Sequence, residues 1–177
     1  LTHRDPTTIP FDDPATLSIF SSTEALGLTP EELGATSGTF GIPEFRTGFT
    51  RQMIDDTHPK YFSDLVGISG FSHGTNVWLD NAQELIRQGV STLHDAISAR
   101  DDIMNYLMQK GVDPLLSFKT MEAVRKGKGI KPDVVEILKK SNVPDWYIES
   151  CQKIKYLFPR AHATAYVMMA YRIAFCK

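Results

Sequence analysis

Residues 160–177 read RAHATAYVMMAYRIAFCK, and the reading of this stretch decides the fold. At about 100° per residue, a helix puts His162, Ala165, Tyr166, Met169, Ala170, Ile173 and Cys176 on one face. Thr164, Val167, Met168, Tyr171 and Phe175 cover the other side. A helix this apolar all round is expected to be covered on most sides by other helices. Arg160 and His162 stand in its first turn, just after Pro159, with Lys153 and Lys155 shortly before. Positive charge there opposes the helix dipole. It becomes favourable when an anion meets the open backbone N–H groups, so the turn is an expected anion site. The plainer alternative sends these groups to solvent, with His162 a hydrogen-bonded core residue. No Gly or Asn stop follows, and a chain that ends inside a helical pattern is expected to be a piece of a longer protein.

Working outward from this stretch, the pattern stays helical. Helices are expected over 144–155, 132–140, 114–126 and 99–110, the last two ending at glycine breaks. Ser91 is expected to cap a short helix, residues 76–88 to form another up to Gly89, and Pro43 to start one running to about Asp56. Thr29 and Glu32 have capping-box spacing, and Asp13 before Pro14 opens a short helix. No alternating strand and no internal repeat stand out. Residues 34–42 are the best linker candidate. The expected class is all-α.

The 177 residues are enough for one helical domain or two small lobes, and 42% are hydrophobic. No run approaches the roughly 20 apolar residues that span a bilayer, and the N-terminal stretch from Leu1 to Pro6 is polar. The two cysteines, Cys151 and Cys176, form no CxxC pair, which argues against a zinc or disulfide framework and fits a reducing cytoplasm. The net charge of −2 hides an asymmetry. Residues 1–109 hold 6 basic and 15 acidic side chains; residues 110–177 hold 13 basic and 6 acidic. A basic half is expected to face an anion.

Two further segments carry candidate chemistry. Lys119, Arg125, Lys126, Lys128 and Lys131 cluster around Gly127 and Gly129, where the backbone could approach phosphates closely. Basic residues at a helix C-terminus also complement the dipole with no ligand at all. Residues 67–75, GISGFSHGT, read as a Gly-rich loop that could offer donors to a phosphate or simply connect two helices. The acidic doublets Asp12-Asp13, Asp55-Asp56 and Asp101-Asp102 lie at helix ends or on helix surfaces. Adjacent helical residues point apart, so none builds a two-metal clamp by itself. No Asp-x-Asp and no P-loop is present.

Longer strings add a resemblance. Residues 38–45, GTFGIPEF, are similar to the GTLGIPEF stretch of the PolC-type, C-family bacterial replicative DNA polymerases. Residues 68–79, ISGFSHGTNVWL, resemble their ISGLSHGTDVWL, and residues 160–166, RAHATAY, their KAHAAAY. RDDIM at 100–104, MEAVRKGKG at 121–129 and WYIESCQKIKYLFP at 146–159 match as well. The resemblance runs in order over essentially the whole chain; Arg46 and Gly48 depart from the family pattern, which leaves residues 45–50 without an assigned role.

The resemblance implies the fingers region of such a polymerase, with residues 1–42 as a palm-to-fingers connection of short helices and 43–177 as the helical fingers. It implies DNA-directed DNA synthesis, with dNTP and template–primer DNA as ligands and the sliding clamp and other replisome proteins as partners of other domains. Mg²⁺ would be bound by the palm, which carries the catalytic aspartates and is absent here, so this piece alone is expected to be inactive. It would work in the cytoplasm, at the nucleoid. Carried over position by position, the residues expected at the triphosphate or nascent base pair are Lys119, Arg125, Lys126, Lys128, Arg160, His162 and Tyr166, with Arg51 and Ser72 as weaker candidates. A stand-alone helical module that binds nucleic acid or protein without catalysis is the competing expectation.

Overall fold

A computed structural model describes residues 3–177; Leu1 and Thr2, which open the polar N-terminal stretch, lie outside the described residues. Short polar side chains start the first helices. Asp13 accepts the Thr16 N–H at 2.9 Å and opens α1 (Pro14–Ile19). Thr29 and Glu32 cap each other's backbone N–H to open α2 (Pro30–Leu33), the expected capping box. Next come α3 (Gly48–Thr57), α4 (Phe62–His73), α5 (Gln83–Arg87), α6 (Arg100–Gln109), α7 (Pro114–Arg125), α8 (Pro132–Lys140), α9 (Asp145–Lys153) and α10 (Arg160–Phe175). No strand occurs among the described residues, so the chain is all-α, as its sequence pattern requires.

The described residues form two compact units. One joins the chain through Ser69 with Ala161–Lys177; the other is Gly70–Arg160. In the first, Tyr171 of α10 is fully buried among aromatic rings. Its centroid lies 5.5 Å from Phe11, 5.8 Å from Phe62 and 6.2 Å from Phe20, and its hydroxyl donates to the Asp13 carbonyl at 3.2 Å. That bond gives the polar end of a large apolar side chain its partner. Lys177 ends the chain by donating to the carbonyls of Gly38 and Phe40, at 2.8 and 2.7 Å.

In the second unit α6 packs along α7, and Tyr106 stacks on the buried Tyr147 of α9 at 4.1 Å. A β-bridge joins Thr75 to Tyr156, with N–H···O distances of 3.0 Å from Thr75 to Tyr156 and from Lys155 to Thr75. Gly70 faces the Ser98 backbone so closely that a Cβ would stand 2.5 Å from the Ser98 carbonyl oxygen.

Several local expectations are corrected. Of residues 67–75 only Gly74 and Thr75 are non-helical, because Gly67 to His73 lie inside α4, which Asp64 starts by accepting the Lys60 and Tyr61 N–H groups. Glycine there permits the close approach to Ser98 rather than a turn. The helix expected from Pro43 begins at Gly48, because Glu44 has φ +71° and Thr47 supplies the cap. The helix expected over 76–88 is broken at Leu79, Asp80 and Asn81; the Asn81 amide donates to the Asn76 and Ser150 carbonyls. Ser91 caps no helix: Thr92 accepts the Asp95 N–H, closing a turn on itself. The linker expected at 34–42 is a packed segment, with Ser37, Thr39 and Ile42 buried.

Candidate functional site

The basic cluster around residues 119–131 is held on a rigid turn. α7 ends where Gly127, at φ +71°, donates to the Val124 carbonyl and Lys128 donates to the Ala123 carbonyl. A Cβ on Gly127 would lie 2.7 Å from the Lys155 carbonyl oxygen. The Gln152 side chain brackets Ile130, accepting its N–H at 3.1 Å and donating to its carbonyl at 2.9 Å. The glycines therefore serve contact with the end of α9 and the strand-like stretch after it. Lys126 and Lys128 are exposed on this clamped turn, and Lys119 is exposed two turns earlier on α7.

Arg125 is committed internally. Its Nη2 donates to Glu122 at 3.0 Å, and Lys126 reaches the same carboxylate at 3.0 Å. The hydrogen bond from Arg125 and then that from Lys126 pull the Glu122 carboxyl down to about 2. Lys119 and Lys131 flank a groove of about 280 Å³ between α7 and α8, floored by Leu116, Ala123, Ile130 and Val134.

Arg160 stands at the start of α10, where the sequence argument asks for an anion. Two carboxylates of the chain itself supply it. Asp101 accepts the Arg160 backbone N–H at 2.8 Å. Asp102 accepts from Arg160 Nε at 3.0 Å and from Nη2. A carboxylate on an open helix N–H is what the dipole favours.

His162 and Tyr166 belong to the other unit, on α10 beyond Ala161. The face they share is not covered, against expectation. His162, Ala165, Tyr166, Met169, Ile173 and Cys176 are all exposed, and Tyr166, Met169 and Ile173 are each about 40% so. Ala170, expected on the same face, is buried at its edge, and the opposite side buries Ala163, Val167, Tyr171 and Ala174. Arg51, on α3, donates to the Arg46 carbonyl at 2.6 Å and lies over the Phe40 ring at 4.3 Å. Ser72 is half-buried within α4.

The bacterial DNA polymerase III alpha subunit finger domain model matches residues 2–142. The chain belongs to that family. It is 61% identical over 173 residues to the DNA polymerase III PolC-type of Staphylococcus haemolyticus, covering 98% of this chain and 12% of that protein. The PolC-type polymerase of Caldanaerobacter subterraneus subsp. tengcongensis is 62% identical over 169 residues, with 96% of this chain and 12% of the relative covered. That of Bacillus subtilis is 60% identical over 173 residues, with 98% and 12%. The chain thus spans about an eighth of the length of these relatives.

Among the described residues of this finger domain, His, Cys, Asp and Glu nowhere gather in a group of three that could hold a metal ion. No helix among them is long and apolar enough to cross a membrane. Sequence reasoning missed Asp101 and Asp102 as partners of Arg160, having weighed them only as metal ligands. The available signal was an acidic pair in one helix's first turn and an unbalanced basic first turn elsewhere.

Proposed function

We propose that this finger domain binds the triphosphate of an incoming dNTP and the template–primer DNA while a PolC-type polymerase transfers the nucleotidyl group. The observation that carries the reading is the clamped basic turn. Lys126 and Lys128 are exposed on a backbone fixed by Gln152 and by the close approach of Lys155 to Gly127. Charges held on a rigid scaffold lose little freedom when a polyanion docks. Lys119 and Arg125 extend this surface along α7. Arg160 would meet a phosphate, and the uncovered His162–Tyr166 face of α10 would meet the nascent base pair; these assignments rest on the likeness to PolC-type polymerases, which runs through α10, and on the exposure of that face. Arg51 and Ser72 remain the weaker candidates of this reading, Arg51 lying over the Phe40 ring and donating to the Arg46 carbonyl.

Mg²⁺ would be held by the palm of the whole polymerase, as the family relationship implies. Binding of the clamp and of other replisome proteins is likewise assigned to other parts of the polymerase, acting at the nucleoid in the cytoplasm. The test uses the full-length polymerase with Lys126 and Lys128 both replaced by Ala. Primer extension should show a raised KM for dNTP, or DNA affinity should fall with a salt slope shallower by roughly 0.9 for each phosphate no longer neutralised. Unchanged dNTP kinetics together with an unchanged salt slope would remove this turn from the interface.

A further inference from the structure

The geometry points to Asp102 as a positioning residue for Arg160, aiming its guanidinium for anion binding; this deepens the reading above and rests on Arg160 meeting a nucleotide phosphate. Asp102 divides its two oxygens between separate tasks. Oδ2 accepts from Ser98 N at 3.0 Å, Ser98 Oγ at 2.9 Å and Ala99 N at 2.9 Å. These three donors fix the carboxylate at the start of α6, as a capping acid is fixed. Oδ1 is left to face Arg160, and it takes Nε and Nη2 together. Arg160 Nη2 also donates to Ser98 Oγ at 3.4 Å, so Ser98 supports both members of the pair.

This arrangement uses the side edge of the guanidinium, formed by Nε and Nη2. With Nη2 also turned to Ser98 Oγ, the Nη1 corner is the part of the planar group that points away from Oδ1. The pair is not sealed in the core: the Arg160 side chain is 39% exposed and that of Asp102 19%. The acid is therefore the fixed, more buried member and the arginine the more accessible one. The backbone is tethered too. Asp101 accepts the Arg160 N–H at 2.8 Å, and Arg100 N donates to the Phe158 carbonyl at 3.1 Å. Root and tip of the arginine are thus both held. A long side chain that would otherwise sample many rotamers is oriented before a ligand arrives, which is how a pre-organised fork gains affinity.

A carboxylate at this place could act in the opposite sense, competing with phosphate for the cation. The two roles predict opposite changes, so they are separable. The test uses the full-length polymerase as wild type, Asp102→Asn, Asp102→Glu, Arg160→Ala and the Asp102→Asn/Arg160→Ala double variant. Asparagine keeps an oxygen for the Ser98 and Ala99 N–H groups, and far-UV circular dichroism with thermal melting checks that each variant folds. Asp102→Asn should raise KM for dNTP by about 5- to 20-fold with smaller changes in kcat and in DNA affinity. Asp102→Glu should recover part of that loss. The double variant should be no worse than Arg160→Ala alone, because Asp102 acts through Arg160. If Arg160→Ala leaves KM for dNTP unchanged, the phosphate role of Arg160 fails, and this proposal with it. If Arg160→Ala raises KM while Asp102→Asn leaves it unchanged, lowers it, or adds fully to Arg160→Ala, the positioning role alone is overturned.

Discussion

The carboxylate of Glu122 sits against the guanidinium of Arg125 one turn along α7, with Oε2 3.0 Å from Nη2. Lys126 shares the same acid at 3.0 Å. The most basic stretch of the chain thus carries an internal counter-charge. Replacing Glu122 by Gln removes it without shortening the side chain. DNA affinity of the polymerase should rise about 3- to 10-fold at low salt, and the gain should shrink as salt is added. Filter binding across a salt series measures this; weaker binding would mean that Glu122 orients the two cations rather than masking them.

The same acid sets a pH dependence. Its carboxyl is lowered from an ordinary 4.5 to about 2, first by the Arg125 hydrogen bond. A depressed carboxylate contributes stability fully above its unfolded value and loses it as pH falls through the folded value. The Glu122 contribution should therefore hold down to pH 4.5 and disappear between there and about 2. Carboxyl NMR shifts followed over that range should show Glu122 titrating at the bottom of it. A midpoint near 4.5 would mean the pairs do not form in solution.

Gly127 should tolerate no side chain. An added Cβ would meet the Lys155 carbonyl oxygen at 2.7 Å, on a backbone with φ +71° that disfavours L side chains. Gly127→Ala should cost about 1–3 kcal/mol in denaturant unfolding. Gly89→Ala is a useful control, since it has a similar φ of +69° but nothing within 4 Å. Strain alone should cost it about 1 kcal/mol. Equal losses at the two sites would show that contact with Lys155 is unimportant.

The 177-residue chain by itself should catalyse no template-directed incorporation. The chain covers 12% of the length of its PolC-type relatives, and the aspartates for two-metal phosphoryl transfer are expected in the palm. It should still bind DNA weakly, through residues 110–177, where 13 basic side chains stand beside 6 acidic ones. Primer extension with Mg²⁺ and a salt-dependent gel shift report the two properties. Metal-dependent extension would overturn the first, and salt-independent binding the second.

What was legible in the sequence followed local chemistry. Asp13-Pro14 and Thr29 with Glu32 each announce a helix start, and each caps its helix as read. Where a residue answers to a distant neighbour, local reading failed. Gly67 and Gly70 look like a loop until Ser98 is brought against α4. Asn81 breaks its helix to bond the Ser150 carbonyl, 69 positions away. The basic turn at 126–128 was visible as charge, but its rigidity depends on Gln152 and Lys155, which local patterning does not connect to it. Asp102 was visible as half of a doublet, and only the tertiary pairing with Arg160 gives it a role.

The two tyrosines of α10 should separate stability from function. Tyr171 is fully buried, stacks near Phe20 and is edge-on to Phe11 and Phe62. Its phenol is pushed above the ordinary value by burial, and its hydroxyl is bonded to the Asp13 carbonyl. Tyr171→Ala removes a large ring from that cluster and should destabilise the chain by about 3–5 kcal/mol. Tyr171→Phe keeps the packing and loses one hydrogen bond, worth about 0.5–1.5 kcal/mol. Tyr166 lies on the uncovered face at 41% exposure. Tyr166→Ala should therefore change stability by less than about 1 kcal/mol. If that face meets the nascent base pair, the same substitution should lower kcat/KM for dNTP in the full-length polymerase by about 10-fold, because the base would have no ring to pack against. Melting curves and steady-state kinetics on the three variants decide the matter. A Tyr166→Ala polymerase with normal dNTP kinetics would place the base pair elsewhere and leave the α10 face to another part of the polymerase.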